Sequence, residues 1–206
     1  MPATGLRERK KEQTRQLIAD TAARLFAERG YEHVAVVDVA LAADVSEQTV
    51  YNYFPTKQRL VLDREQELLD RLPELIGTRP QGISPAAAVR DEALALVDGI
   101  AALTPDEERG GLGYQAAISP AVRRLCLEMT DRLALAIAAA ITEPADGPPA
   151  HVARIQAVAL AWVFQTITDE SGRRGLAGQA VSQTAAELRP IVEELIDNLD
   201  HWLSRA

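Results

Sequence analysis

The sequence predicts an all-α protein, and three observations lead there. Apolar residues recur at i, i+3, i+4 and i+7 along most of the chain. Alanine and leucine carry much of the 47% hydrophobic content while aromatics make up 4%, a balance that favours helices over sheets. No stretch alternates apolar and polar residues as a half-buried strand would. At 206 residues the chain is long enough for one large or two small domains with a real core.

The elements follow in order. Leu17, Ile18, Thr21, Ala22, Leu25 and Phe26 lie at helical spacing and predict an amphipathic helix over about 9–29, with Phe26 in its core and Gly30 as its C-cap. Val37, Val39, Ala40, Ala42 and Ala43 make a short apolar helix. Asp44 follows where the chain must turn sharply, and short polar residues tolerate the left-handed region better than most. Ser46 caps the next helix, and Glu47 suits its positive end. In that helix Val50 and Phe54 are spaced i, i+4 and face inward, leaving Glu47, Gln48, Thr49, Tyr51, Asn52 and Tyr53 largely outward. Pro55 stops it.

From Lys57 a single helix through Leu60, Val61, Leu68, Leu69, Leu72 and Leu75 is expected to reach about Ile76. The stretch 77–85 is rich in Gly and Pro and reads as a connector. A helix follows over 86–103. Residues 104–113, TPDEERGGLG, read as a second loop, a break or hinge between helices. Their glycines are no phosphate cradle, because no strand precedes them and the neighbouring acids repel phosphate. Further helices are predicted over 120–142 and 152–168, separated by the loop 143–149. The last carries Leu188, Ile191, Val192, Leu195, Ile196, Leu199, Trp202 and Leu203 in near-ideal amphipathic spacing.

Two short helices joined by a tight turn, the second polar on its outer face, form the helix-turn-helix pattern, whose second helix enters the DNA major groove. The formal net charge of −8 argues against a nucleic-acid partner only until it is divided. Residues 1–60 hold 9 Lys/Arg against 8 Asp/Glu, whereas residues 61–206 hold 13 against 22. Five of the basic residues fall within positions 1–15, so positive charge concentrates in an N-terminal arm and the acidic remainder can face away from phosphate. The acidic body weakens non-specific binding and leaves more of the affinity to specific contacts.

The stretch from about Arg15 to Leu62 resembles the TetR family of bacterial transcriptional regulators. Ile18, Ala22, Leu25, Phe26, Gly30, Tyr31, Val39, Ala40, Ala43, Val45 and Ser46 carry the resemblance, and the run TVYNYFPTK (49–57) is its most specific part. The resemblance implies a helix-turn-helix DNA-binding head over 1–56, with its basic arm, and a helical ligand-binding and dimerisation body over 57–206. It implies a homodimer through the last two helices that reads an inverted-repeat operator in double-stranded DNA. By the same resemblance Thr49, Tyr53 and Lys57 grip phosphates, which fixes register without reading sequence. Gln48, Tyr51 and Asn52 are the expected base readers, and Lys10, Lys11, Thr14 and Arg15 approach the backbone or a neighbouring minor groove.

Two departures stand out. Family members often carry Thr or Ser where this chain has Ala35, a hydroxyl that caps the first helix of the motif and touches phosphate. Glu47 places a carboxylate near phosphates, where it accepts a bond from a cytosine amino group, excludes unwanted sequences, or simply offsets the helix dipole.

For the body the resemblance implies a small-molecule effector whose binding shifts the spacing of the heads. Tyr114, Cys126, Met129, Trp162, Gln165 and Thr166 are the candidate lining of an apolar pocket with a few polar handles. A regulator without a ligand, controlled by a protein partner or by abundance, is the alternative. Catalysis is not expected: His33, His151 and His201 are far apart, no nucleophile motif is present, and no spacing suggests a metal or cofactor. Without an apolar run of ~18 residues or an apolar leader, the chain is expected off the membrane and in the cytoplasm. The lone Cys126 fits a reducing compartment.

Overall fold

A computed structural model describes residues 3–62, 65–142 and 147–203. Eleven α-helices are found among them: α1 (Ala3–Arg29), α2 (Val36–Ala42), α3 (Glu47–Tyr53), α4 (Lys57–Val61), α5 (Glu65–Gly77), α6 (Pro85–Ala101), α7 (Pro105–Gly110), α8 (Leu112–Ile118), α9 (Pro120–Thr142), α10 (Ala150–Leu176) and α11 (Val181–Leu203). A 3-10 turn at Tyr31–His33 links α1 to α2. The described residues contain no strand, as the periodicity predicts. None of their helices is long and apolar enough to cross a membrane.

The apolar residues gather into two cores. One belongs to the body and is built by α5, α6, α9, α10 and α11 around Leu72, Val89, Ile137, Leu160, Leu188 and Ile196. The other lies in the head around Ile18, Leu25, Phe26, Val39, Val50 and Phe54. The head core also takes Leu60, Val61 and Leu62, and draws Ala116, Val122, Cys126 and Met129 from α8 and α9. Head and body therefore share a buried seam along the start of α9.

Two expectations need correction. The single helix over 57–76 is two helices, because α4 stops at Val61 with Leu62 as its C-cap. Leu60, Val61 and Leu62 are all buried. Three consecutive helical positions sweep about 200° of the circumference, so one face cannot bury them all and the chain bends. The stretch 104–113, expected as a loop, folds as α7 and the start of α8. Thr104 caps α7 by accepting from the Glu107 N–H, and the Glu107 carboxylate takes the Thr104 N–H at 2.7 Å. Pro105 sits at the first helical position, where its missing N–H costs nothing.

The glycines there mark close helix crossings. A Cβ on Gly110 would collide with the backbone carbonyl of Ala23 in α1, and Gly113 of α8 lies equally close to Gly172 of α10. The basic arm is no loose extension, since Lys10, Lys11, Thr14 and Arg15 stand on α1 itself. Of the predicted loop 143–149, residues 143–146 lie outside the described residues.

Candidate functional site

The turn between α2 and α3 forms as its residues dictate. Asp44 adopts φ 53°, the left-handed conformation expected of it. Ser46 caps α3, its Oγ accepting the Thr49 N–H at 3.0 Å. Val50 is fully buried and Phe54 nearly so, so the opposite face of α3 points outward. Glu47, Gln48, Tyr51 and Asn52 are exposed there, and Thr49 and Tyr53 are half-buried at its flanks.

Several of these side chains are already held. The Thr49 hydroxyl lies 2.8 Å from Ser46 Oγ. Gln48 Nε2 donates to Asn52 Oδ1 at 3.1 Å, so two candidate base readers one turn apart order each other. Tyr51 stands 43% exposed rather than folded onto the head core. From α1, the Arg15 guanidinium lies 5.6 Å from the Phe54 ring centroid and pairs with Glu12 at 3.5 Å. Thr14 donates to the Lys10 carbonyl, and Lys10 and Lys11 are exposed.

Lys57 is half-buried at the start of α4 with its Nζ 4.1 Å above the Tyr31 ring. Burial lowers its pKa, partly opposed by the Glu32 carboxylate. Burial, then Glu32, raises that of the Tyr31 phenol.

Ala35 stands at the N-cap of α2 with no side-chain cap. Half of the missing reciprocity is nevertheless present: Asp38 Oδ2 accepts the Ala35 N–H at 2.7 Å. The neighbouring Val37 and Leu41 are 49% and 83% exposed on the outer side of α2.

A cavity of about 390 Å³ opens where head meets body. Leu96 and Ile100 of α6, Met129 of α9, and Phe164 and Ile167 of α10 form apolar wall. The head supplies Gln16, Ala19, Asp20 and Ala23 of α1. Glu107, Thr168 and Ser171 add polar edges.

Of the six residues expected to line a pocket, Met129 stands in the wall of this cavity. Trp162 is 45% exposed on the outside of α10. Gln165 is spent on a buried network, accepting from Thr130 at 2.7 Å and donating to Asp169 at 2.8 Å. Asp169 in turn accepts from Arg123 at 2.7 Å. Cys126 is fully buried in the head-side core, and burial pushes its thiol up to about 12. Thr166 donates to the Trp162 carbonyl, and Tyr114 is half-buried away from the cavity wall.

Residues 18–63 match the model described as bacterial regulatory proteins, tetR family. Those residues are a TetR-family DNA-binding segment.

The chain is also similar in sequence to two curated regulators. It is 32% identical over 106 residues to the HTH-type transcriptional regulator TcmR of Streptomyces glaucescens, covering 46% of this chain and 47% of that one. It is 31% identical over 86 residues to the HTH-type transcriptional regulator YuxN of Bacillus subtilis, covering 41% of this chain and 30% of the other. The chain thus spans less than half the length of these curated relatives. Among solved structures, NalD of Pseudomonas aeruginosa, the secondary repressor of the MexAB-OprM multidrug efflux pump, shares the fold with a TM-score of 0.57 at 17% identity, over 92% of this chain and 95% of that one. A TetR-family regulator from Mesorhizobium loti superposes with a TM-score of 0.52 at 16% identity, over 92% and 96% of the two chains.

The sequence reading missed Gln115, a fully buried polar side chain at the head–body seam. It also missed Asp20 and Glu107 at the cavity. The T-x-x-E box at 104–107 was the available signal for Glu107. A glutamine between Tyr114 and Ala116 carries no pattern of its own.

Proposed function

We propose that this chain is a sequence-specific DNA-binding transcriptional regulator, a repressor released from an inverted-repeat operator by a small molecule. The outer face of α3 carries the reading: Gln48, Tyr51 and Asn52 stand exposed on a helix capped by Ser46 and anchored by Val50 and Phe54. Gln and Asn bond adenine in a bidentate way, at roughly 1–3 kcal/mol of discrimination per base. Thr49, Tyr53 and Lys57 hold phosphates, and Lys10, Lys11, Thr14 and Arg15 on α1 extend the contact along the backbone. Glu47 tunes site preference. The role is one of binding, with no catalytic step.

One α3 reads too few base pairs for regulation, so the active form is a homodimer. Exposed Ile155 and Trp162 share one face of α10, and exposed Ile191 and Trp202 one face of α11. These faces support a four-helix interface between two copies. The head covers residues 1–56 and the body 57–206, and the cavity between them supports control by a ligand. The site of action is the cytoplasm.

The test is fluorescence anisotropy of the full chain with duplexes from the flanks of its own gene against shuffled controls, across a salt series. Selective binding with a steep salt slope, lost in Thr49→Ala/Lys57→Ala, supports the regulator reading. Equal binding to selected and shuffled duplexes contradicts it.

A further inference from the structure

We propose that the cavity at the head–body junction takes an apolar cation, an organic amine or quaternary ammonium, with Asp20 and Glu107 as its charge partners. The inference deepens the ligand-released reading above and rests on it.

The wall is mostly aliphatic and aromatic, with Leu96, Ile100, Met129, Phe164 and Ile167 supplying surface for a hydrocarbon. Its ionisable lining is of one sign. Asp20 and Glu107 contribute carboxylates, and no Lys, Arg or His stands among the described lining residues. Among the described lining residues an anion meets two like charges and no counter-charge, whereas a cation has its charge paired while its apolar part is buried.

Both carboxylates are positioned. Gln16 donates to Asp20 Oδ1 at 2.7 Å from one turn before it in α1. The Thr104 N–H and hydroxyl both bond Glu107 Oε2, at 2.7 and 2.8 Å, and these bonds hold its pKa below the ordinary carboxylate range. Each carboxylate is exposed at the rim, where a cationic group keeps part of its hydration. The excess of acids over bases in residues 61–206 favours approach of the same sign of ligand.

The position gives binding a consequence. Asp20, Ala19 and Ala23 belong to α1, the helix whose Arg15 lies over Phe54 at the end of α3. The opposite wall belongs to α6 and α10 of the body. An occupant touches both sides of the junction, so any difference in its affinity between two head–body arrangements biases the head directly.

The test uses the full chain and three probes of one shape: phenylbutyltrimethylammonium, phenylbutanol and phenylbutyrate. Calorimetry is expected to show the ammonium binding roughly tenfold more tightly than the alcohol, and the carboxylate most weakly. In Asp20→Asn/Glu107→Gln, which keeps the acceptors for Gln16 and Thr104, the ammonium falls to the level of the alcohol while the alcohol is unchanged. Ser171→Trp, which fills the cavity, is expected to abolish binding of all three with the helical circular-dichroism spectrum intact. Should that variant fail to fold, the isosteric pair still decides.

Carboxylate binding as tight as the ammonium, an ammonium preference that survives the double variant, or no binding by any probe overturns the proposal. Release of DNA is read separately by anisotropy. Ammonium binding that leaves DNA bound upholds the ligand class and removes the release mechanism. DNA release by the carboxylate with no ammonium binding does the reverse.

Discussion

Gln115 Oε1 accepts the backbone N–H of Tyr31 at 2.9 Å, joining α8 of the body to the 3-10 turn of the head. The same side chain donates through Nε2 to the carbonyls of Phe26 and Arg109, at 3.0 and 2.7 Å. One buried amide thus satisfies three backbone groups from α1, α7 and the turn. A second tie runs beside it, with Ser119 Oγ donating to Glu32 Oε1 at 2.6 Å. Gln115→Leu keeps the volume but orphans the Tyr31 N–H and takes a donor from the Arg109 and Phe26 carbonyls, the latter keeping its bond from the Gly30 N–H. A buried unmatched group costs about 1–3 kcal/mol, so the variant is expected to lose about 2–3 kcal/mol in urea denaturation. A loss under 0.5 kcal/mol, roughly the level of a surface substitution, contradicts the account.

Gly110 marks a close approach of α7 to α1. A Cβ there meets the Ala23 carbonyl, which is backbone and cannot rotate aside. Gly110→Ala is expected to push α7 off α1 and cost about 1–3 kcal/mol, the usual range for overpacking. Gly99→Ala is the control, because a Cβ at that exposed helical position meets nothing within 4 Å. It should be neutral or stabilising by denaturation.

Restoring the hydroxyl at the α2 N-cap tests the departure at Ala35. Ala35→Thr supplies a side-chain acceptor to the first turn of α2 and complements the bond that Asp38 already makes to the Ala35 N–H. A gain of about 0.5–1 kcal/mol is expected in thermal or urea unfolding. DNA affinity should rise across all sequences alike, since a phosphate contact carries no base information. A change confined to some operator variants speaks against that role.

How far the sequence was legible follows from these residues. The α2–α3 unit was readable in detail, because Asp44, Ser46, Val50 and Phe54 act within one or two turns of themselves. Long helices were readable from periodicity. The break at Leu62 was not, because three adjacent apolar residues look the same whether a helix buries them or the chain bends. Residues 104–113 misled because Gly110, Gly111 and Gly113 read as loop punctuation, while Gly110 and Gly113 serve close crossings with Ala23 and Gly172, distant in sequence. The cavity lay beyond sequence reasoning for the same reason: its wall combines α1, α6, α9 and α10.

Acid should loosen the seam between α10 and α11. Glu187 of α11 is held below the ordinary carboxylate value of 4.5 by hydrogen bonds from Gln183, Gln179 and the buried Arg174 of α10. Bonds from Arg173, then Arg174, lower Glu170 likewise, against some desolvation. A carboxylate with a depressed folded pKa contributes stability that is present above the unfolded value and is lost as pH falls through the folded one. The melting temperature is therefore expected to fall below about pH 4.5, and Glu187→Gln to flatten part of that fall. An acid limb unchanged in Glu187→Gln places the loss elsewhere.

The central claim is that two copies of α3 read DNA in sequence. Selection of the full chain against random-sequence duplexes tests it most directly. Enrichment of an inverted repeat whose half-sites lie about one helical turn apart is expected, with the half-site preference altered in Gln48→Ala/Asn52→Ala. No enrichment, or a single site without two-fold symmetry that both substitutions leave unchanged, would contradict it.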